Sequence, residues 1–209
     1  MRIEAITGSK ASATEQHLLE RMHELRAKVF GNRLGWDVRI ERNQERDEYD
    51  RLDPTYLVLV DAPSQVIGCA RLLPTVGPTM LAQTFPALAG ASPPPRSRKI
   101  VESSRFCIDA EHRGDVSVNG LREATHTLLA GTIEWSMANG YNRILTVTDI
   151  RFERILLRAK WPLHRLAEPQ TVGNTKAVAG ILPADKASFM SVRPSRYTPI
   201  YPTLVDSAA

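Results

Sequence analysis

The sequence predicts one α/β domain, built on a mixed β-sheet with helices on both faces. Two strand-like runs, TYLVLVD (55–61) and QVIGCARLL (65–73), are joined by the short link APS and indicate an antiparallel hairpin. Later in the chain, RILTVTD (143–149) is typical of a strand and RFERILLRAKW (151–161) of a helix ending before a proline, so strands and helices alternate. No linker-like stretch separates the two halves, and we therefore expect residues 1–209 to form a single domain.

The first helix is predicted over residues 13–30. Ser12 and Glu15 have the spacing of a capping box, in which each side chain bonds the backbone of the other residue, and Gly31 is placed to end the helix. The following segment, residues 31–54, is polar and predicted to be irregular.

The remaining elements are predicted from apolar runs and from the residues that interrupt them. Strands are expected over residues 99–108 and 175–183, where β-branched residues are dense. Helices are expected over 79–89 and 118–139, and the tail at about 194–209 is expected to be irregular.

Composition restricts the classes to which the protein can belong. Lys and Arg outnumber Asp and Glu by 27 to 23, which favours an acidic partner or substrate. Aromatic residues make up 6% of the chain and do not alternate with a basic stripe, so no nucleic-acid partner is expected. No apolar run approaches the roughly 18 residues of a membrane span, and the N-terminus lacks the apolar core of a secretory signal. We therefore expect no membrane association and a cytoplasmic location.

Common catalytic motifs are missing from the sequence. It contains no GxxxxGK[ST] phosphate loop, no G-x-S-x-G elbow and no H-E-x-x-H pair. The five histidines are scattered, and Cys69 and Cys107 lie in apolar runs without metal-ligand spacing, so the cysteines are expected in the core and no metal is expected. Charged and aromatic residues outside the apolar pattern remain as candidates: Arg26, Phe30, Trp36, Asp47, Asp50, Arg71, Glu102 and Arg105. Each also has an ordinary interpretation, as a core aromatic, a solvated acid or a charged strand end.

The predicted strand at residues 99–108 carries two charges in its middle. Glu102 and Arg105 are three residues apart, so a regular strand would direct them to opposite faces of the sheet. Because burying an unpaired charge is costly, either this is an exposed edge strand or both charges have partners and a function there.

Several short motifs carry a resemblance to a known family. They are R-x-x-x-F-x-x-x-x-x-W over 26–36, D-x-x-D at 47–50, ARLLPT at 70–75, TFP at 84–86, ESSRF at 102–106, ILTVTDIRFERIL at 144–156 and W-P at 161–162. In this order and spacing they resemble the acyl-homoserine lactone synthases, which make quorum-sensing autoinducers. The resemblance covers about residues 1–170.

The resemblance implies both a fold and a reaction. The fold is that of GNAT-type N-acyltransferases, a mixed twisted sheet with a central bulge or split that holds the acyl donor in a cleft. The reaction joins an acyl group to the α-amine of S-adenosylmethionine (SAM). The acyl group comes from an acyl-carrier protein or, as the weaker candidate, from acyl-CoA. The acylated product then cyclises to the lactone and releases 5′-methylthioadenosine. SAM is a substrate, and no separate cofactor is expected.

The reaction requires a base that removes a proton from the α-amine. An α-amine has an ordinary pKa of about 7.7–8.0, so a carboxylate must accept its proton before it can attack. Glu102 is the leading candidate for that base, with Arg105 as the second catalytic residue. A β-bulge at Ser103–Ser104 is expected to turn both side chains into one cleft.

The SAM-binding residues are expected in the N-terminal half. They are Arg26, Phe30, Trp36, Asp47, Asp50, Arg71, Ser104 and Phe106. Phe30 and Trp36 offer aromatic faces to the adenine ring or the sulfonium cation. Asp47 and Asp50 are expected to form bidentate ion pairs with Arg26 and Arg105, which would order a mobile N-terminal region of about residues 1–54 over the substrate. The alternative is a purely structural salt-bridge network.

The donor side is expected in the second half. An apolar pocket for the acyl chain is predicted from Met80, Phe106, Thr146, Thr148 and Trp161. The resemblance implies that a threonine in this strand accompanies a 3-oxo acyl group, and the two threonines are compatible with that preference. A docking surface for an acidic carrier protein is predicted from the basic residues Arg151, Arg154, Arg158 and Lys160. Acyl-CoA is the weaker donor, because the sequence lacks an R-x-x-G-x-[GA] loop for its pyrophosphate.

Two other functions are compatible with these residues. One is a CoA-dependent N-acetyltransferase of similar fold, which would not release methylthioadenosine. The other is a signal-binding module without catalytic activity, since clustered charges and aromatic rings can hold a ligand without reacting with it.

Overall fold

A central β-sheet of eight strands organises the protein. The computed structural model describes residues 1–61, 64–112, 116 and 120–201. The strands are β1 (Arg2–Thr7), β2 (Ile40–Glu41), β3 (Gln44–Glu45), β4 (Thr55–Val60), β5 (Val66–Pro74), β6 (Ile100–Ile108), β7 (Arg143–Asp149), β8 (His164–Arg165), β9 (Gln170–Val172) and β10 (Thr175–Pro183). The helices are α1 (Ala13–Arg26), α2 (Met80–Gln83), α3 (Glu123–Ala138), α4 (Ile150–Arg158) and α5 (Lys186–Val192).

The sheet has the strand order β1-β4-β5-β6-β7-β10-β8, with β9 beside β10, while β2 and β3 form a separate hairpin. The pair β6–β7 is parallel and the other pairs in the sheet are antiparallel. The predicted mixed α/β sheet and the β4–β5 hairpin are therefore confirmed. No helix within the described ranges is long and apolar enough to cross a membrane.

Helices cover both faces of the sheet, as predicted. On one face, residues of α3, α4 and α5 form a core with alternate residues of the strands, such as Leu57, Leu72 and Val101. On the other face, α1 packs on Tyr56 and Val58, and α2 is followed by a 3₁₀ turn at Pro86–Ala89. Alternation along the strands therefore gives each face its own buried side chains.

Strand β6 contains a bulge next to the centre of the sheet. Cys69 pairs with Cys107 and Arg71 with Ser104, so two residues of β6, Arg105 and Phe106, oppose Ala70 alone. Arg105 has a φ of 52°, a backbone conformation that residues other than glycine seldom adopt. The bulge predicted at Ser103–Ser104 was thus placed too early, because both serines keep regular partners on β5.

The same strand separates from its other neighbour. Pairing between β6 and β7 extends from Ile100 with Arg143 to Ser103 with Thr146 and stops there. Beyond that point β7 continues to pair with β10 as far as Asp149, while β6 continues to pair with β5. The two central strands therefore diverge into a split, as the GNAT-like fold implies.

Several helix boundaries differ from the predictions. The predicted helix over 13–30 is α-helical only to Arg26, and a π-helical turn then continues through Gly31 to Arg33. The helix predicted over 79–89 is interrupted before Pro86, which has no N–H to continue it. The helix predicted from 118 begins at Glu123, and residues 117–119 lie outside the described chain. Helix α4 ends before Pro162, because Lys160 has a φ of 60°.

The strands β1, β2, β3, β8 and β9 and helix α5 were not predicted, and β2 and β3 lie in the segment 31–54 that was expected to be irregular. All six residues of β1 pair with β4, so the start of the segment expected to be mobile is the edge strand of the sheet. The capping box of Ser12 and Glu15 is present as predicted. Cys69 and Cys107 are buried free thiols, in agreement with their predicted core positions. Residues 194–201 form no helix or strand, and 202–209 lie outside the described chain.

Candidate active site

A D-x-x-D turn organises the acidic side of the site. Asp47 caps a short 3₁₀ helix, Glu48–Leu52, by accepting the backbone N–H of Tyr49 and of Asp50 at 3.0 and 3.3 Å. Asp50 returns a bond to the N–H of Asp47 at 2.8 Å. This reciprocal capping fixes both carboxylates on one side of the turn, which faces the sheet.

Three arginines from different elements meet these carboxylates. Arg26, at the end of α1, binds Asp50 in a bidentate ion pair, with N–O distances of 2.8 and 3.0 Å. Arg71 of β5 donates hydrogen bonds through Nη1 to the carboxylates of Asp47 and Asp50, the latter at 2.9 Å. Arg105 of β6 reaches Asp47 at 2.8 Å. The expected pairs Arg26–Asp50 and Arg105–Asp47 are present, and Arg71 joins them.

Glu45 completes the cluster, and it was not predicted. Its carboxylate binds Arg26 through Oε2 and Arg105 through Oε1, the latter at 3.0 Å, and the residue has no exposed surface. Glu45 lies in the polar run IERNQERDEYD, where nothing distinguishes it from its exposed neighbours. Only the β2–β3 hairpin, which turns this residue inward, identifies it as part of the site.

The charges in the cluster stabilise one another. Burial alone would raise the pKa of Asp50, but Arg26 and Arg71 outweigh it and hold that pKa well below its ordinary range. Burial would likewise lower the pKa of Arg26, yet Asp50 and Glu45 raise it. Arg26 and Arg71 have no exposed surface, so this is a buried network in which each charge depends on its partners.

Glu102 lies on the same face of the sheet and holds the start of α2. Its two carboxylate oxygens accept the backbone N–H of Met80 at 2.7 Å and of Leu81 at 2.9 Å. The residue is 1% exposed. Burial raises the pKa of Glu102, although the two N–H donors and the charge of Arg71 oppose the rise.

The bulge brings Arg105 to the side of Glu102. Ser104 accepts a bond from Arg71 Nε at 3.1 Å, and Arg105 points to the acid cluster on that same face. The sulfur of Met80 lies 3.1 Å from Arg71 Nη2 and 3.7 Å from Arg105 Nη1. Glu102, Ser104 and Arg105 therefore lie on one face of the sheet around Met80, although the bulge is two residues later than predicted.

The two predicted SAM-binding aromatics form a stack beside Arg105. Phe30 and Trp36 have ring centroids 5.2 Å apart and planes inclined by 20°. The guanidinium carbon of Arg105 lies 5.5 Å from the centroid of Phe30. Phe30 is 3% exposed, so Trp36, which is half-buried, is the ring of the pair that solvent reaches.

The predicted acyl pocket is divided between the two faces of the sheet. Met80 lies beside Leu73 on the face of the acid cluster. Phe106 follows the bulge and points to the opposite face, where its ring contacts Phe152 with centroids 4.8 Å apart. Ser104 and Arg105 share one side of the strand and Phe106 takes the other, so the structure does not bring Phe106 together with Ser104.

The other members of the predicted pocket lie on the Phe106 side. Thr146 and Thr148 alternate with Leu145 and Val147 on β7, so they face the same way as the core residue Ile144. Trp161 is 2% exposed in the core on that face, and its indole N–H donates to the carbonyl of Pro183 at 2.9 Å. The threonines, unlike Trp161, lie beside the split.

The basic residues of α4 are on the surface. Arg151, Arg154, Arg158 and Lys160 are all exposed. The acid of this helix, Glu153, is bound by Arg165 with N–O distances of 2.6 and 2.8 Å, which compensates its charge. The exposed surface of α4 is consequently positive at the end of β7, next to the split.

A mixed sheet that divides at its centre, beside a buried cluster of charged residues, has the architecture of the GNAT-like acyltransferases. The chain matches the family model described as autoinducer synthase over residues 10–192. It is 52% identical over 200 residues to a probable acyl-homoserine-lactone synthase of Sinorhizobium fredii, with 94% of each chain covered. The chain belongs to the autoinducer synthase family and is an acyl-homoserine-lactone synthase, an acyltransferase of quorum-sensing signal synthesis. The family and the enzyme class predicted from the sequence are confirmed.

Solved structures agree with this assignment. The crystal structure of the AHL synthase LasI superposes with a TM-score of 0.80 at 31% identity, covering 91% of this chain and 93% of the other. TofI, in a complex with an inhibitor and MTA, gives 0.76 at 29%, covering 92% and 96%. BjaI, a CoA-dependent acyl-homoserine lactone synthase with SAM and isopentyl-CoA, gives 0.82 at 23%, covering 95% and 92%, which shows the fold.

Proposed function

We propose that this synthase transfers an acyl group from an acyl-carrier-protein thioester to the α-amine of SAM. The acylated intermediate then cyclises, as its carboxylate displaces the sulfonium, to give N-acyl-homoserine lactone and 5′-methylthioadenosine. The observation that carries this proposal is the position of the acid–arginine cluster and the Phe30–Trp36 stack beside Glu102, on one face of the split between β6 and β7. SAM is consumed as a substrate, and the reaction uses no further cofactor or metal.

The cluster offers a place for the cationic substrate. Asp47 has the most exposed side chain of its three acids, at 12% against 5% for Asp50 and 0% for Glu45. A carboxylate at the edge of the cluster attracts the sulfonium or the ammonium group of SAM. Trp36 provides the aromatic surface for adenine or the sulfonium methyl group. The presence of MTA in the complex of TofI, which is 29% identical to this chain, supports this use of SAM.

Glu102 is the proposed base. Each carboxylate oxygen has two lone pairs, so the bonds from Met80 and Leu81 leave acceptor capacity for the amine proton, directly or through a water molecule. Burial raises its pKa towards that of the amine, which favours the transfer. Arg105 and the cluster hold the amine in place while the thioester carbonyl reaches it through the split.

Substituting Glu102→Gln should lower kcat by about 10²- to 10⁴-fold, because the amide cannot accept the proton. The dissociation constant for SAM should change much less. Both are measured with the purified protein, by lactone formation and by calorimetric titration. Near-wild-type turnover would exclude Glu102 as the base.

A control separates proton transfer from the structural role of Glu102 at α2. Ala82→Gly weakens this short helix without touching the carboxylate, at a cost of roughly 0.5–1 kcal/mol. We expect Ala82→Gly to keep most of its turnover. If both variants lose turnover equally, the carboxylate acts by holding α2.

The acyl group is proposed to pass from the cluster face through the split to the face of Phe106, Thr146 and Thr148. Trp161 closes the core behind them, and Met80 contacts the thioester end of the donor. The exposed basic residues of α4 lie at the end of β7 and suit an acidic carrier protein. Acyl-CoA is the second candidate donor, since BjaI, a synthase of the same fold, is CoA-dependent.

The function is tested by supplying SAM with one acyl group on either carrier protein or CoA, and measuring lactone and methylthioadenosine by mass spectrometry. We expect equal amounts of the two products and a higher kcat/KM for the carrier donor. Arg154→Glu should raise the KM for the carrier several-fold and leave that for acyl-CoA unchanged. Arg143→Glu, an exposed arginine at the far end of β7, serves as the control. Lactone formed without methylthioadenosine, or only from acyl-CoA, contradicts the proposal.

A further inference from the structure

A continuous chain of hydrogen bonds joins the D-x-x-D turn to the proposed base. The carboxylate of Asp47 accepts the backbone N–H of Tyr49 at 3.0 Å, and the hydroxyl of Tyr49 lies 2.6 Å from that of Thr84. The N–H of Thr84 donates to the carbonyl of Met80 at 2.8 Å, and the N–H of Met80 donates to Glu102 at 2.7 Å. Helix α2 is therefore held by Glu102 at its first residue and by Tyr49 at the residue that follows its last one.

Tyr49 is buried in the middle of this chain. It is 1% exposed and packs with Leu73 and Met80 on the face of the acid cluster. The guanidinium carbon of Arg71 lies 5.4 Å from the centroid of its ring. Because the ring is enclosed, the bond from its hydroxyl to Thr84 fixes the distance between the turn and the exposed end of α2. A helix of four residues is too short to be stable by itself, so its position depends on contacts at both ends.

We propose that Tyr49 and Thr84 are positioning residues that hold α2 against Glu102 and thereby set the position of the base relative to Asp47. The inference rests on the proposed function, in which Asp47 attracts a cationic group of SAM and Glu102 accepts the proton of its amine. The two hydroxyls take no part in the proton transfer. They act through the backbone of α2, which connects Thr84 to Glu102.

The backbone of α2 also affects the protonation of Glu102. Burial raises the pKa of Glu102, and the N–H groups of Leu81 and Met80 oppose that rise. If α2 moved away, the carboxylate would lose these donors while staying buried, and its pKa would rise further. Because the base must be deprotonated to accept the amine proton, the acidic limb of the pH profile of kcat would then move to higher pH.

The test measures kcat against pH for Tyr49→Phe and Thr84→Val, which remove the two hydroxyls and keep the ring and the branched side chain. Each variant should lower kcat at pH 7 by about 2- to 10-fold, as expected for one lost hydrogen bond, and move the acidic limb to higher pH. The double variant should be no worse than either single one, because the two hydroxyls share one bond. Thr84→Ser keeps the hydroxyl and should be close to the wild type.

Tyr197→Phe is the matched control for the loss of a buried tyrosine hydroxyl. Tyr197 donates to the carboxylate of Glu134 at 2.6 Å, and it packs in the core on the opposite face of the sheet. Its substitution should lower the free energy of unfolding, as Tyr49→Phe does, but leave both kcat and the acidic limb unchanged.

The outcomes distinguish this inference from the proposed function. An unmoved acidic limb in Tyr49→Phe, with or without a loss of turnover, overturns the positioning role, as does an equal shift in Tyr197→Phe. In either case a large loss of turnover in Glu102→Gln still supports the assignment of the base. Near-wild-type turnover in Glu102→Gln contradicts the proposed function instead.

Discussion

Replacement of Asp50 by Asn is expected to lower the free energy of unfolding by about 3–5 kcal/mol, the usual cost of removing one partner from a buried ion pair. Asp50 accepts hydrogen bonds from Arg26, Arg71 and the hydroxyl of Tyr56, the last at 2.7 Å. Asparagine preserves the size but removes the charge that compensates two fully buried guanidinium groups. Urea denaturation at pH 7 measures the loss.

Two other variants show whether the loss of stability depends on how deeply the aspartate is buried in the cluster. Asp47→Asn should destabilise the protein less than Asp50→Asn, because Asp47 is more exposed. Relative to its loss of stability, it should cause a larger loss of SAM affinity than Asp50→Asn. Asp37→Asn, at an exposed position, should change neither quantity. Equal losses in Asp47→Asn and Asp50→Asn, without an effect on SAM affinity in either, would identify the cluster as a structural salt-bridge network.

Acidification from pH 6.5 to 4 is expected to reduce stability by about 3 kcal/mol through His23 alone, at roughly 1.36 kcal/mol per pH unit. Burial, with the nearby charges of Arg26 and Arg46, lowers the pKa of His23 to about 4. Its ring bonds the carbonyl of Glu45 through Nδ1 at 2.9 Å and meets the edge of Tyr56. In the unfolded chain His23 takes up a proton near pH 6.5, and in the folded protein only near 4. The unfolded state therefore binds more protons across this window, and stability falls as pH falls.

The measurement is the unfolding free energy against pH for the wild type and for His23→Asn, which removes the titration and can still donate to the Glu45 carbonyl. The two curves should converge between pH 6.5 and 4. Asp50, whose folded pKa is depressed, contributes stability that is present above its ordinary pKa of 3.8 and is lost only below it. Glu102, whose pKa is raised, changes the stability in the opposite direction. Its contribution to the free energy of unfolding is greatest below its ordinary pKa of 4.5 and is lost as pH rises. Parallel curves for the wild type and His23→Asn would contradict the assignment to His23.

Much of the site could be predicted because its residues are unusual at their positions. Charges inside a β-branched run, such as Arg105 in β6, and aspartates spaced for a capping turn are visible in the sequence itself. The order of the motifs then indicates the family. Helix α1 and the β4–β5 hairpin follow from local signals, namely a capping box and a short link between two apolar runs.

What could not be predicted depends on contacts between distant segments. Glu45 differs from its neighbours only by the direction in which the β2–β3 hairpin turns it. The bulge lies at Arg105 instead of at the serines because the left-handed backbone of Arg105 is held by ion pairs with residues 45 and 47. That shift of two residues also decides that Phe106 faces α4 and not the cluster.

The divergence of β6 and β7 has a consequence for how the enzyme can change. In the proposed reaction the amine-bearing substrate and the far part of the acyl chain are recognised on opposite sides of one sheet. Substitutions on the α3 and α4 side can therefore alter which signal is made without disturbing the charge network that holds the common substrate. The acyl group of the lactone and the catalytic activity would then be able to change independently. A few substitutions on one face of the sheet would be enough to give a lineage a new signal.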